Sequence, residues 1–195
     1  GRLVGQRRGV RGRLADVRQA LAEARDGAER VRNIVRDLKT FSRVDAEHRS
    51  HVELRHVLDS ALRMVRVEIR HRAQLIQTYG DTPKVLANEA RLGQVFLNLL
   101  LNATQAIPEG HVSEHEIRVV TATSSDGQAL VEVHDTGSGI PPDTLERIFD
   151  PFFTGKSGRV GAGLGLSVCR NIIDALGGQI TVHSTVGQGT MFRVT

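Results

Sequence analysis

Two asparagines set four apart, Asn98 and Asn102, fall on one face of any helix that contains them. An amide oxygen is a hard, neutral ligand, suited to a Mg²⁺ ion that keeps several waters and bridges phosphates. Taken alone, two mid-helix asparagines facing solvent would explain the spacing as well. Farther along, Asp135-Thr136-Gly137-Ser138-Gly139-Ile140 follows a strand-like segment. A carboxylate aimed from a strand end accepts a hydrogen bond from an exocyclic amine such as that of adenine. The two glycines let a backbone approach a flat ligand closely. Alone, this is a common turn.

Three of the six phenylalanines fall within Phe149-Asp150-Pro151-Phe152-Phe153, and Thr154-Gly155-Lys156 follows. The cluster reads as a hydrophobic plug that anchors one end of a lid, with Lys156 offering a cation to phosphate. Then Gly161-Ala162-Gly163-Leu164-Gly165-Leu166 opens a helix. Free amides and the positive end of a helix dipole make an anion site. A dinucleotide fingerprint is excluded, because no strand immediately precedes these glycines and no parallel βαβ unit begins the domain. No phosphate-binding loop closing on Gly-Lys-Ser/Thr is present either.

The elements that must hold these residues are legible from periodicity. Leu14, Val17, Leu21, Ala24, Ala28, Val31, Val35 and Leu38 are spaced alternately by 3 and 4, a heptad seam. That seam predicts one long bundle helix over residues 14–43, which needs a second helix or a second subunit to bury it. A polar stretch at 45–50 follows, carrying into His51. An amphipathic helix is expected over Leu54, Val57, Leu58, Ala61, Leu62, Val65 and Ile69. Strands are expected at 74–79 and near Val85, then a long helix over 89–106 stopped by Pro108 and Gly110. Segments 116–122 and 129–134 read as a hairpin about Ser124-Ser125-Asp126-Gly127. A short helix should run from Pro141 to Phe149, another over 165–176, and strands over 179–184 and 190–195. Mixed helices and hairpins make the body an α+β layer structure.

The chain has 195 residues with 39% hydrophobic and 25% charged residues, and no apolar run long enough to span a bilayer. Its single cysteine, Cys169, excludes an internal disulfide framework and fits a reducing compartment. The pI near 10.0 suggests a polyanion partner. The charge is uneven, however: residues 1–43 hold 12 Lys/Arg against 5 Asp/Glu, and the remainder 14 against 17. The excess belongs to the solvated face of the bundle helix, so no nucleic-acid partner is expected.

As an ordered set, amide helix, Asp-Gly-Gly turn, phenylalanine cluster and glycine-rich lid resemble the ATP-binding catalytic domain of bacterial sensor histidine kinases. That domain belongs to the gyrase–chaperone–histidine kinase ATPase superfamily. Residues 94–106 look like its N box, 135–140 its first glycine box, 149–156 its F box and 161–166 its second glycine box. Gly187-Gln188-Gly189-Thr190 with Phe192 is similar to its closing motif, and residues 30–43 to the end of the second dimerisation helix. The resemblance implies a two-layer α/β sandwich with a mixed, largely antiparallel sheet, preceded by the bundle helix. It divides the chain into a partial dimerisation and phosphotransfer helix (1–45) and an ATP-binding domain (46–195). It implies that Asn102 holds Mg²⁺ and Asn98 assists at metal or phosphates. Asp135 would read the adenine amine, with Gly137, Gly139, Ile140 and Thr190 shaping the pocket. Phe149 anchors the lid, while Lys156, Gly161 and the backbone from Gly163 through Leu164 and Gly165 to Leu166 face the phosphates. Many relatives carry a cation and an aromatic where this chain has Gln105 and Ala106, which shifts charge neutralisation toward Lys156, Arg159 and the metal.

The same resemblance implies transfer of the ATP γ-phosphoryl to a histidine, then relay to an aspartate of a response-regulator receiver domain. It implies a homodimer through the N-terminal helix, in the cytoplasm, with any membrane contact through other segments. The acceptor helix should precede residue 14, yet residues 1–13 contain no His. His115-Glu116 mimics the start of the acceptor motif, but Val119-Val120-Thr121 follows in place of Asn-Pro, and His115 reads as an ordinary strand residue. Two other readings stand beside this one: a non-kinase ATPase of the same fold, and a nucleotide-binding dimer scaffold without activity.

Overall fold

The computed structural model describes residues 49–154 and 163–195; the heptad helix, Lys156, Arg159 and Gly161 lie outside them. Helix α1 (Leu54–Arg70) buries Leu54, Val57, Leu58, Ala61, Leu62, Val65 and Ile69, the seven positions of the expected apolar stripe. Helix α2 (Glu89–Ala106) starts where the Asn88 side chain accepts the Arg91 N–H at 3.1 Å. It stops at Ile107, the residue before Pro108, where helical backbone is disfavoured. One broad face is fully enclosed: Val95, Phe96, Leu99 and Leu100 have no exposed surface. Helix α1 packs on α2, and α2 packs on the sheet and on the later helix α4 (Gly165–Ala175).

Opposite the helices lies a five-stranded sheet in the order β2-β4-β5-β7-β6. Its strands are β2 (Gln74–Tyr79), β4 (Glu116–Thr123), β5 (Ala129–Asp135), β6 (Ile180–Thr185) and β7 (Gly189–Val194). Only the β2–β4 pair is parallel; the others are antiparallel. Alternation sends Ile117, Val119 and Thr121 of β4 inward, with Val131, Val133 and Asp135 of β5 and Thr190, Phe192 and Val194 of β7. Asp135 and Thr190 are therefore the ends of core-facing rows, and they face each other in register. The result is the expected two-layer α+β arrangement.

The structure departs from the expected elements at three places. The polar stretch after the heptad helix ends in a short strand, β1 (Ser50–Val52), which pairs antiparallel with β3 (Val85–Ala87), away from the main sheet. His51 is thus a strand residue, invisible as such because three residues carry no period and their partner is remote in sequence. The helix expected to reach Phe149 is only α3 (Pro142–Leu145). Beyond it the chain descends through turns, Arg147 N–H to Thr144 O and Asp150 N–H to Arg147 O, which still sink Ile148 and Phe149 into the core. His115 sits one residue before β4, and its side chain is engaged with Thr136. Cys169 is fully buried on α4 against α2, its thiol 3.7 Å from the Val95 carbonyl. No helix among the described residues is long and apolar enough to cross a membrane.

Candidate functional site

The site forms where the C-terminal ends of α2 and β5 meet the β6–β7 turn and the start of α4. The segment from 135 to 140 is held by the end of α2 on one side and by the β6–β7 turn on the other. The Asp135 Oδ1 accepts the Gly137 N–H at 2.8 Å, and Ser138 N–H donates to the Ala106 carbonyl at the end of α2. Gly137 packs so closely there that a Cβ would lie 2.6 Å from the Ala106 oxygen. Gly139 adopts φ +65°, and any side chain would strike the Thr185 carbonyl. Ile140 N–H donates to Ser184 Oγ at 2.8 Å, and that hydroxyl lies 2.9 Å from Thr190 Oγ1. Gly187 N–H closes the far side on the Ser138 carbonyl.

These contacts leave Asp135 only 7% exposed at the rim of the core. Burial raises its carboxyl to about 6 from the ordinary 3.8, against the opposing pull of the Gly137 and Thr190 backbone amides and, more weakly, of His134 and His115. Above that value the group is a charged, buried acceptor, already held by the Gly137 amide, and a carboxylate has capacity for a further donor such as an exocyclic amine.

On α2, Gln94, Asn98 and Asn102 follow at four-residue intervals along one face. Asn98 is buried, and its Nδ2 donates to the Gly165 carbonyl at 3.2 Å, tying α2 to the first residue of α4. The Asn102 Nδ2 is buried with no hydrogen-bond partner among the described residues. Gln105 is exposed. Helix α4 begins at Gly165, and its N-cap residue, Leu164, gives no side-chain cap, the kind of helix start that suits an anion. Gly163 (φ +68°) accepts the Phe152 N–H through its carbonyl and abuts the backbone of Phe152 and Phe153, which joins the described chain on either side of residues 155–162. Phe149 is the plug the sequence suggests, edge-on to Phe192 with centroids 6.4 Å apart and Arg170 4.0 Å above its ring.

The structure thus brings together Asn98, Asn102, Asp135, Gly137, Gly139, Ile140, Gly163, Leu164, Gly165, Leu166 and Thr190, with Phe149 beneath. Gln105 turns outward. Sequence reasoning missed Ser184, which links Ile140 to Thr190, and Ala106, whose carbonyl docks the glycine turn. No motif marks either one, although Ser184 opposes Thr190 in register. Among the described residues no group of three or more His, Cys, Asp and Glu side chains is placed to hold a metal ion. Any metal here would depend on the neutral amide of Asn102, water and phosphate. The Asn102 Oδ1 would be the ligating atom, its unpartnered Nδ2 being a donor suited to a phosphate oxygen, and with the glycine cradle the residues present are compatible with such a group.

Residues 87–195 match the family described as histidine kinase-, DNA gyrase B-, and HSP90-like ATPase. The chain belongs to that family. Sensor histidine kinase ZraS of Escherichia coli O157:H7 is 38% identical over 169 residues, covering 86% of this chain and 35% of that protein. The chain therefore spans about a third of the length of such curated relatives. Among solved structures, a mycobacterial sensor histidine kinase, MprB, superposes with a TM-score of 0.65 at 27% identity, covering 75% of this chain and 95% of that one. Full-length ShkA in complex with AMPPNP gives 0.72 at 25% identity, over 90% of this chain and 37% of that one. Membership in this ATPase family implies that the chain binds ATP.

Proposed function

We propose that this chain is the ATP-binding core of a two-component sensor histidine kinase, which supplies the γ-phosphoryl of ATP to a histidine on an acceptor helix. The observation that carries the reading is the buried carboxylate of Asp135, held at a strand end with glycines on either side of the approach. That carboxylate accepts the adenine amine, and Thr190 and Ile140 bound the base. Asn102 would hold Mg²⁺, with the first-turn amides of α4 serving the phosphates and Lys156, by its place in the sequence, a candidate cation for them. When bound, the metal would supply positive charge to offset that of the phosphates. The protein's own contribution is positioning and fixed dipoles around a loose transfer state, without a covalent intermediate on this chain. The domain division falls near residue 45, and the heptad pattern before it, which lies outside the described residues, is the proposed means of pairing with a second subunit. The acceptor for onward relay is a response-regulator receiver domain, in the cytoplasm.

An ATPase of the same fold would need an acid to activate water near the metal. Glu89, at the start of α2, stands 13 residues before Asn102, roughly 20 Å along the helix axis. Its carboxylate is more than half exposed and 3.9 Å from His56 Nε2. That position favours transfer to a supplied acceptor over hydrolysis. The test is to mix this chain with a separate fragment bearing an acceptor histidine helix and γ-labelled ATP. Label should appear on the histidine, acid-labile and base-stable. Steady phosphate release with no label on the fragment would overturn the kinase reading and favour the ATPase.

A further inference from the structure

His115 stands outside every nucleotide motif, yet its ring reaches the residue after Asp135. Its Nδ1 lies 3.0 Å from the Thr136 carbonyl and 3.1 Å from Thr136 Oγ1. A carbonyl oxygen can only accept, so Nδ1 carries the proton and donates. The peptide group it grips has a second end. The same Thr136–Gly137 peptide points its N–H at Asp135 Oδ1, 2.8 Å away. A chain of hydrogen bonds thus runs from imidazole to peptide to carboxylate, and such chains polarise one another in a low-dielectric setting.

The histidine is itself fixed. Its carbonyl accepts the Gln74 N–H at 2.9 Å from the start of β2. The next residue, Glu116, donates its N–H to Thr136 Oγ1 at 3.0 Å and accepts the Thr136 N–H at 3.2 Å. Thr136 is therefore clamped through its N–H, its hydroxyl and its carbonyl by two consecutive residues at the mouth of β4. Removing the imidazole frees the carbonyl alone. The peptide plane can then rotate, taking the Gly137 N–H off the carboxylate.

We propose that His115 is a positioning residue for nucleotide recognition: through the Thr136–Gly137 peptide it sets the orientation in which Asp135 meets the base. This rests on the reading of Asp135 as the adenine acceptor. The proposed role works through that peptide, the group its ring contacts.

The experiment uses the intact chain and measures affinity for ATP·Mg²⁺ and GTP·Mg²⁺ by calorimetry, with a thermal melt for each variant. His115→Leu keeps bulk and removes the donor. It should bind ATP about fivefold more weakly, the net worth of one hydrogen bond, with GTP affinity unchanged, so that discrimination falls. His115→Asn places an amide donor near the Nδ1 position and should restore ATP affinity. His115→Gln places its amide near the Nε2 position and should not. That pair decides the matter even if the leucine variant fails to fold. Equal weakening of both nucleotides, or equal behaviour of the Asn and Gln variants, would overturn the proposal and leave His115 a merely structural residue. Asp135→Asn is measured alongside. If it loses discrimination while His115→Leu keeps it, the positioning role is wrong and the adenine reading stands. If Asp135→Asn keeps discrimination, the adenine reading itself is wrong.

Discussion

Asp135 shows how a site residue carries a cost for the fold. A carboxylate raised to about 6 by burial binds its proton more tightly in the folded than in the unfolded chain. The sign follows: folding stability is lost as pH rises from about 4 to about 6, and the penalty is fully present above that window. Asp135→Asn keeps an oxygen for the Gly137 N–H and removes the charge. The nucleotide-free variant should therefore be more stable than the wild type at pH 8, by roughly 1–2 kcal/mol, with the difference shrinking as pH falls toward 4. Denaturant melts at several pH values check this. A variant equally stable or less stable at pH 8 would mean that other groups in the pocket already compensate the charge. At this scale the sequence was partly readable. Asp135, Asn102 and the glycines announce themselves by type and spacing, whereas Ser184 and Ala106 act through a hydroxyl and a main-chain carbonyl that no residue pattern encodes.

At the scale of elements, the glycine turn is wedged between the end of α2 and the β6–β7 turn, and the wedge tolerates no side chain. Gly139 combines φ +65° with a carbonyl where a Cβ would go. Gly139→Ala should therefore lower the melting temperature, by an amount equivalent to about 1–3 kcal/mol, and abolish ATP binding together with it. By contrast Gly127, at φ +77° in the β4–β5 hairpin, has open space around it, so Gly127→Ala should cost about 1 kcal/mol of stability and leave ATP affinity unchanged. Long elements were legible because they satisfy a period: α1 buries every residue of its expected stripe, and α2 begins and ends on capping chemistry. Short elements were not. β1 has three residues and takes its identity from a partner, β3, that sequence cannot bring near. The descent after α3 is set by how deeply Phe149 must sink beneath Phe192, which is a tertiary demand.

Across the whole molecule, one hydrophobic core supports both layers, and the site lies where its rows run out. The core-facing positions of β4, β5 and β7 end in Asp135 and Thr190, so packing delivers the carboxylate to the pocket mouth without a dedicated loop. The α2 helix does the same for Asn98 and Asn102, since Val95, Phe96, Leu99 and Leu100 bury the neighbouring face in the core. The strongly basic average of the sequence has no bearing on this region, whose mild acidity makes a metal-neutralised nucleotide a reasonable ligand. That the buried carboxylate and the amide helix jointly hold ATP·Mg²⁺ is tested most directly by titration calorimetry of the intact chain. ATP should bind tightly with Mg²⁺ and weakly without it, and Asn102→Ala should erase the metal dependence while its melt stays close to wild type. Metal-dependent binding of unchanged affinity in the Asn102→Ala variant would contradict the account.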